Sequence, residues 1–229
     1  MTTDPFALES IAQEALKHVH DGSVIGLGSG HAAEAFIRTL GDRVSQGFRV
    51  RGVPTSQASA HLARLVGVPL ATLDEYPTLS LAVDGADEVD PAGQMIKGYG
   101  GALVREKIVA TAADKFLILV GPEKLVDQLG AHGKLPIEVV PFARGPCSRA
   151  LEALGYPSEV RAMNGEPFVT DNGNLILDCR IPTLADPFEV ERQILAAPGV
   201  VETGLFLNMR PTVITLRNGG VESLVFGPG

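Results

Sequence analysis

Several hallmarks of other protein classes are missing from this 229-residue sequence. It contains only two cysteines, Cys147 and Cys179, which are too few and too far apart for a disulfide framework or a zinc site. No apolar run approaches the roughly 18 residues of a membrane-spanning helix, and the N-terminal segment lacks the basic and apolar regions of a signal peptide. We therefore predict a cytoplasmic protein with no membrane partner.

Positive charge is also scarce. The 19 lysines and arginines are outnumbered by 27 aspartates and glutamates, so that the formal net charge at pH 7 is −8. Because nucleic-acid binding needs a basic surface, we predict no nucleic-acid partner. A local basic pocket for one small phosphate group is still compatible with this composition.

The best-known cofactor and nucleophile motifs are absent as well. There is no GxxxxGK[ST] loop for a nucleoside triphosphate, no GxSxG nucleophile turn, and no ligand spacing among the five histidines. The glycine-rich turn at 26–30 is not followed by the third glycine of GxGxxG, because His31 stands there. These absences argue against dinucleotide, hydrolase and metal chemistry.

What is present is a regular alternation of apolar strands and amphipathic helices up to about residue 130, which indicates a parallel sheet. The pattern after that resembles a β-α-β-β-α-β unit. We predict an α/β protein with a Rossmann-like, mostly parallel domain (1–130 plus 206–229) and a smaller ferredoxin-like α/β domain (131–205). The predicted strands of the first part are 23–27, 48–53, 69–72, 79–83 and 115–120, with helices at 6–20, after residue 30, at 57–66 and at 101–113. A hairpin with Asn218-Gly219-Gly220 at its turn is expected near the C-terminus.

The glycine-rich turn Gly26–Gly30 joins a predicted strand to a predicted helix. Glycines let the backbone approach a ligand closely, and the amides at a helix N-terminus attract anions. The next strand ends in Pro54-Thr55-Ser56, whose hydroxyls suit a phosphate or a sugar. A tight turn of purely structural purpose is the alternative.

A second segment, DGADEVD, places four carboxylates within residues 84–90. Asp84 and Asp87 follow the end of an apolar strand, where ligands of open α/β sheets bind, so we expect them to act on a ligand. Four close carboxylates could also bind a divalent cation, although their spacing does not fit an EF-hand. For Glu88 and Asp90 we favour a solvated acidic turn.

The third segment, KGYGGALVREK, begins with Lys97 beside flexible glycines and continues as a helix. The residues three and four positions from Glu106 are all apolar, so its carboxylate projects from an apolar face. Burial would raise its pKa toward the range of a general base. An ion pair, for example with Arg105 or Lys107, is the alternative. Lys124 also follows a strand, where a surface lysine is the simplest interpretation.

Together these segments resemble ribose-5-phosphate isomerase of the A type. The resemblance runs in order over roughly residues 22–208, and the DGADE and KGxGGALxREK pair is its most specific part; the other matching segments are GLGSG, GVPTS, FVTDNGNLILDC and PGVVETGLF. It implies interconversion of ribose 5-phosphate and ribulose 5-phosphate in the non-oxidative pentose phosphate pathway, without a cofactor or metal. It also implies a homodimer or a homotetramer.

Carried onto this sequence, the resemblance makes Glu106 the general base, places Asp84, Asp87 and Lys97 at the sugar, and places Lys124 near it. The chemistry would pass through a cis-enediol. The predicted substrate-binding residues are Gly28, Ser29, Gly30, His31, Ser56, Lys97, Gly98, Gly100 and Lys124.

One departure from the family pattern concerns the phosphate loop, which commonly reads GTGST but here reads GSGHA at 28–32. Either His31 replaces a hydroxyl as a phosphate donor, or affinity falls, or the preferred substrate differs; His31 could equally be structural. Two further hypotheses for the whole protein are a non-catalytic sugar-phosphate sensor and an isomerase acting on another phosphosugar.

Overall fold

The computed structural model describes residues 5–217 and 219–226, without the side chains of residues 5 and 6. These residues form two compact units. The first unit comprises the described residues up to Ala86, Arg105–Leu125 and those from Met209 onward, and the second comprises Asp87–Val104 and Val126–Asn208. Among the described residues, no helix has both the length and the apolar character needed to cross a membrane.

The helices and strands follow one another in the alternating order that the sequence indicates. In chain order, the helices are α1 (Pro5–Leu16), α2 (His31–Ser45), α3 (Gln57–Leu65), α4 (Leu103–Thr111), α5 (Arg144–Ala153) and α6 (Pro187–Leu195), with short 3-10 turns at Pro122–Lys124 and Pro141–Ala143. The strands are β1 (Ser23–Leu27), β2 (Val50–Pro54), β3 (Leu81–Asp84), β4 (Glu88–Val89), β5 (Met95–Ile96), β6 (Phe116–Leu119), β7 (Lys134–Val139), β8 (Ser158–Val160), β9 (Ala162–Met163), β10 (Glu166–Pro167), β11 (Leu175–Arg180), β12 (Val200–Thr203), β13 (Leu205–Phe206), β14 (Thr212–Arg217) and β15 (Gly220–Val225).

The first unit is built on a six-stranded sheet in the order β15-β14-β6-β3-β1-β2. Every neighbouring pair is parallel except β14 and β15, which form the antiparallel hairpin expected near the C-terminus. Asn218 of the predicted turn lies outside the described residues. A mostly parallel sheet of this kind confirms the predicted α/β class.

Both faces of this sheet are covered by helices. Ile25 and Leu27 of β1 belong to a buried cluster with residues of α1, α2 and α3. Gly26 points to the other face, because successive strand residues alternate sides. A Cβ at position 26 would lie 2.3 Å from the side chain of Val109, so the glycine allows α4 to pack closely against β1.

The second unit contains a four-stranded antiparallel sheet in the order β12-β7-β11-β8. Along the chain, α5 connects β7 to β8, and α6 connects β11 to β12. This arrangement is ferredoxin-like, as the sequence predicts. Its apolar core includes Leu135, Ile137 and Leu177 from the sheet, and Leu151 and Ile194 from the helices.

Residues 87–104, which the predicted boundaries assign to the first domain, belong to the second unit. Two predicted details of the strands also differ from the structure. The strand predicted at 69–72 is reduced to a single bridge between Gly52 and Leu70. Conversely, the two-residue strands β4, β5 and β13 form a small antiparallel sheet in the order β13-β5-β4, which the sequence does not predict. Strands of two residues are too short to show an alternating pattern.

Candidate active site

Asp84 ends strand β3, at the carboxyl edge of the parallel sheet, and is only 2 % exposed. Its Oδ1 accepts hydrogen bonds from the backbone amides of Ser29 (3.0 Å) and Gly85 (2.8 Å). A Cβ at position 28 would lie 2.2 Å from this oxygen. Gly28 therefore provides the space for the carboxylate, and Asp84 is fixed at the end of the strand as the sequence indicates.

Ser29, whose amide binds Asp84, also belongs to a cluster of four hydroxyl groups. Oγ of Ser29 lies 2.8 Å from the hydroxyl oxygens of both Thr55 and Ser56, and 3.2 Å from that of Ser59. Thr55 donates to the carbonyl of Leu27, and Ser59 to that of Gly28. The sequence indicates the hydroxyls of Thr55 and Ser56 but not that of Ser59. Ser59 lies beside them because Ser56 is the N-cap of α3, and its Oγ accepts a hydrogen bond from the backbone amide of Ser59.

The N-terminus of α2 begins directly after this cluster. Its N-cap residue, Gly30, has φ +85° and provides no side-chain cap, so the first-turn amides keep the partial positive charge of a helix N-terminus. The amides of Gly28 and Ser29, in contrast, donate to Val83 and Asp84. Any amide contribution to anion binding therefore comes from the helix end rather than from the glycine turn.

His31, the first residue of α2, is exposed and makes no hydrogen bond or ion pair with the residues that the structure describes. Its imidazole is thus accessible to solvent at the helix N-terminus.

Glu106 lies in the first turn of α4 and is 4 % exposed. This confirms the burial predicted from its apolar neighbours. In a connection between parallel strands such as β3 and β6, the helix runs back against the strand direction, so its first turn lies at the carboxyl edge of the sheet. The first unit therefore carries two buried carboxylates, Asp84 and Glu106, toward the same edge.

Lys124 closes the 3-10 turn that follows β6, and its side chain is half-buried. Within residues 5–217 and 219–226 it forms no ion pair. Because β6 is the neighbour of β3, the lysine also follows the carboxyl edge of this sheet.

Asp87, Lys97 and Gly98 belong to the second unit. Oδ2 of Asp87 accepts the backbone amide of Tyr99 at 2.9 Å, which ties the acid to the lysine-containing loop. Lys97 is 3 % exposed, and its ammonium lies 5.3 Å from the centroid of the Phe206 ring, a cation–π contact. Gly98 has φ +106°, a conformation that favours glycine, whereas Gly100 is exposed.

Tyr99, between these glycines, packs its ring below the ammonium of Lys134, 4.9 Å from the ring centroid. Burial, with the nearby carboxylates of Asp87, Glu88 and Asp178, raises the pKa of Tyr99 well above its ordinary value. The phenol therefore stays protonated and donates to the carbonyl of Lys134 at 3.2 Å.

The prediction that Glu88 belongs to a solvated turn is wrong. The side chain is completely buried, and its two carboxylate oxygens accept the backbone amides of Gly130 and His132 at 2.6 and 2.7 Å. It therefore serves as a structural acceptor. Asp90 is partly exposed and caps its own turn by accepting the amides of Ala92 and Gln94.

Within the described part of the chain, no three His, Cys, Asp or Glu side chains are grouped so that they could hold a metal ion. Arg161 is not indicated by the sequence, yet its guanidinium contacts the carbonyls of Gly98 and Tyr99. No local sequence pattern predicts this contact, because Arg161 lies more than sixty residues along the chain from the loop that it contacts.

Comparison with known sequences identifies one family. The profile of ribose 5-phosphate isomerase A (phosphoriboisomerase A) matches residues 51–220. The chain is similar to ribose-5-phosphate isomerase A of Gloeobacter violaceus, with 48 % identity over 94 % of each chain. It is likewise 47 % identical to that of Thermomicrobium roseum, covering 95 % of this chain and 93 % of the relative.

Solved structures that are similar to this chain include members of the same family. Ribose 5-phosphate isomerase A of Methanocaldococcus jannaschii superimposes with a TM-score of 0.90 at 41 % identity, covering 95 % of this chain and 97 % of that one. A D-ribose-5-phosphate isomerase in complex with phospho-erythronic acid superimposes with a TM-score of 0.91 at 40 % identity and the same coverage.

Proposed function

This chain belongs to the ribose 5-phosphate isomerase A family and is an enzyme, and we propose that it interconverts D-ribose 5-phosphate and D-ribulose 5-phosphate through a cis-enediol intermediate. The two sugars differ in the position of the carbonyl, which moves between C1 and C2. The reaction removes a proton from C2, returns one to C1 and transfers a hydroxyl proton between the two oxygens. It needs no net oxidant or reductant.

The observation that carries this proposal is the burial of Glu106 in a helix that begins at the carboxyl edge of the sheet. A buried carboxylate costs free energy unless its surroundings compensate it, so one retained on an apolar helix face is suited to proton transfer. We assign Glu106 as the base that takes the C2 proton and, as the acid formed, returns it to C1. General bases of this kind contribute roughly 10²- to 10⁴-fold to the rate.

The enediolate oxygen that forms during proton transfer carries negative charge. We assign Lys97 as the cation that stabilises this oxygen, because a buried ammonium interacts more strongly with charge that develops in the transition state than with the neutral carbonyl. Asp84 is assigned to the hydroxyl proton and to opening of the furanose ring. Asp87 would bind the sugar hydroxyls while it holds the amide of Tyr99.

The phosphate would be bound by the amides at the N-terminus of α2, by the hydroxyls of Ser29 and Ser56, and by the ammonium of Lys124. Binding the phosphate at a fixed place orients the sugar chain relative to the base, and orientation of this kind lowers the barrier to the chemical step. His31 is available as a further donor.

One structural relative supports the class of substrate. It was solved with phospho-erythronic acid, a phosphorylated sugar acid whose planar carboxylate carries negative charge, as an enediolate does. A pathway position in the non-oxidative pentose phosphate branch, a cytoplasmic location and a homodimer or homotetramer follow from the family resemblance and are part of the proposal.

The direct test is turnover by the purified protein. Ribose 5-phosphate and several other aldose phosphates are each supplied without added cofactor, and ketose formation is followed with its kcat and KM. We expect ribose 5-phosphate to have the highest kcat/KM. Binding of ribose 5-phosphate without turnover would support a sensor instead, and faster conversion of another sugar would identify a different substrate.

A further inference from the structure

Arg161, between strands β8 and β9, is hydrogen-bonded to the loop that follows Lys97. Its Nη1 donates to two successive carbonyl oxygens, those of Gly98 at 2.9 Å and Tyr99 at 3.0 Å. Two hydrogen bonds to consecutive peptide groups fix the orientation of both peptide planes. The backbone directly after Lys97 is therefore held in one conformation.

The guanidinium itself is held by Asp178 on β11. Its Nε donates to Oδ2 of Asp178 at 2.9 Å, and its Nη2 donates to Oδ1 of the same carboxylate. Lys134 contacts Oδ2 of Asp178 at 3.0 Å from the neighbouring strand. The arginine side chain is 11 % exposed, so this two-point ion pair is largely shielded from water.

Two further hydrogen bonds hold the loop at Tyr99. The amide of Tyr99 donates to Asp87, and the tyrosine hydroxyl donates to the carbonyl of Lys134. Gly98 and Gly101 have φ +106° and +88°, so without these contacts the loop could adopt other backbone conformations easily. Arg161 thus restrains the most permissive part of the Lys97 loop.

We propose that Arg161, held by Asp178, is a positioning residue for the isomerisation, fixing the 97–101 loop so that the Lys97 ammonium is ready to stabilise the enediolate. The inference rests on the proposed function. It extends the set of functional residues to two side chains that touch no substrate and act through the loop backbone.

Arginine is the side chain that this role requires. Its planar fork can bind a carboxylate with two nitrogens and still present a third to the loop carbonyls. A lysine at position 161 carries one ammonium and cannot satisfy Asp178 and both carbonyls with the same geometry. The conservative change Arg161→Lys therefore removes the positioning while it keeps the charge.

The test compares Arg161→Ala, Arg161→Lys and Asp178→Asn with the matched control Arg180→Ala. Arg180 lies on β11, the strand that carries Asp178, but its side chain is 74 % exposed and pairs with exposed Glu159 at 3.4 Å. Steady-state kcat and KM for ribose 5-phosphate, thermal melting, and amide hydrogen exchange of the free proteins are measured for each. Measurements of Arg161→Ala are repeated with millimolar guanidinium, which can enter the vacated space.

We expect kcat to fall about 10- to 100-fold in the Arg161 variants, because small misplacements of catalytic groups have effects of this size. KM should change about threefold at most, guanidinium should restore part of the activity of Arg161→Ala, and Arg180→Ala should behave like wild type. The amides of residues 98–101 should exchange faster in the Arg161 variants, while those of β11 keep their protection.

Near wild-type kcat in folded Arg161→Ala and Arg161→Lys would overturn the inference and leave the proposed function intact. A loss of kcat that merely follows the unfolded fraction, without guanidinium rescue or a local exchange change, would also overturn it. A wild-type protein without turnover would refute the proposed function itself, and the positioning role in isomerisation with it.

Discussion

Gly28 and Asp84 occupy adjoining space at the carboxyl ends of β1 and β3, and a Cβ on Gly28 would lie 2.2 Å from Oδ1 and 2.6 Å from Cα of Asp84. The glycine is therefore required by the acid rather than by its own backbone conformation. The same acid anchors the amide of Ser29 and, through it, the hydroxyl cluster with Ser56. Asp84 thus connects two of the three segments to which we assign function.

The first prediction is that Gly28→Ala displaces the Asp84 carboxylate. The added methyl group clashes with backbone as well as side-chain atoms, so we expect a stability loss of about 1–3 kcal/mol, as for other overpacked sites. We also expect kcat/KM to fall at least about tenfold, because the acid leaves the position that its proposed role in proton transfer requires. Urea unfolding and steady-state kinetics measure the two effects.

Gly145→Ala is the matched control for this change. Gly145 lies in helix α5, where an added Cβ would meet only the end of the Arg149 side chain at 3.6 Å. Alanine there should leave turnover unchanged. If Gly28→Ala retained full activity and stability, the proposed coupling between Gly28 and Asp84 would be wrong.

The second prediction concerns Glu106. Glu106→Gln keeps the shape of the side chain but cannot accept a proton, so kcat should fall by about 10²- to 10⁴-fold. The fold should survive, as judged by circular dichroism and melting. The control is Glu189→Gln on α6, which is partly exposed and should leave kcat within about twofold of wild type. Near wild-type turnover in Glu106→Gln would remove this residue from the role of base.

Much of this arrangement could be predicted from local sequence patterns. The burial of Glu106 follows from apolar residues three and four positions away, and Asp84 follows from the apolar run that it ends. Both signals lie within a few residues of the side chain concerned. Such signals can therefore be interpreted without knowing which distant residues contact the side chain in the folded protein.

Glu88 and Arg161 could not be predicted in this way. A glutamate among other acids has the pattern of a solvated turn, and the amides that it accepts come from Gly130 and His132, more than forty residues along the chain. Arg161 likewise meets the loop carbonyls only in the folded second unit. The interactions that determine the surroundings of these two residues are long-range, and a single sequence carries no local signal for them.

The third prediction follows from Glu88. In Glu88→Gln, one carboxylate oxygen becomes an NH₂ group that faces a backbone N–H, which leaves a buried donor unsatisfied. The midpoint of urea unfolding should fall by an amount that corresponds to about 1–3 kcal/mol. Exposed Glu159→Gln serves as the control and should change little. Unchanged stability in Glu88→Gln would show that the two amides find other acceptors.

The fourth prediction is that the native thiols are unreactive. Burial raises the pKa of Cys147, and burial together with nearby Asp178 raises the pKa of Cys179 to about 12. Since only the thiolate reacts, about one Cys179 in ten thousand is reactive at pH 8. A chromogenic disulfide reagent should release almost no product from the native protein and two equivalents in guanidinium chloride. Rapid native labelling would contradict the burial of these residues.

The fifth prediction addresses His31, the departure from the family's phosphate loop. The imidazole is exposed at the N-terminus of α2 and has no partner among the described residues, so it can donate to a bound phosphate. His31→Ala should raise KM for ribose 5-phosphate about tenfold, the equivalent of one charge-assisted hydrogen bond, with kcat nearly unchanged.

Two variants complete the test of His31. His61→Ala, on α3, removes another exposed histidine and should leave KM unchanged. His31→Thr introduces a hydroxyl at the same position and should keep KM close to wild type, since it replaces one phosphate donor with another. If His31→Ala has wild-type KM and His31→Thr lowers it, the histidine contributes nothing to binding and the altered loop weakens affinity. A changed preference among aldose phosphates in His31→Thr would instead identify the loop as the determinant of substrate choice.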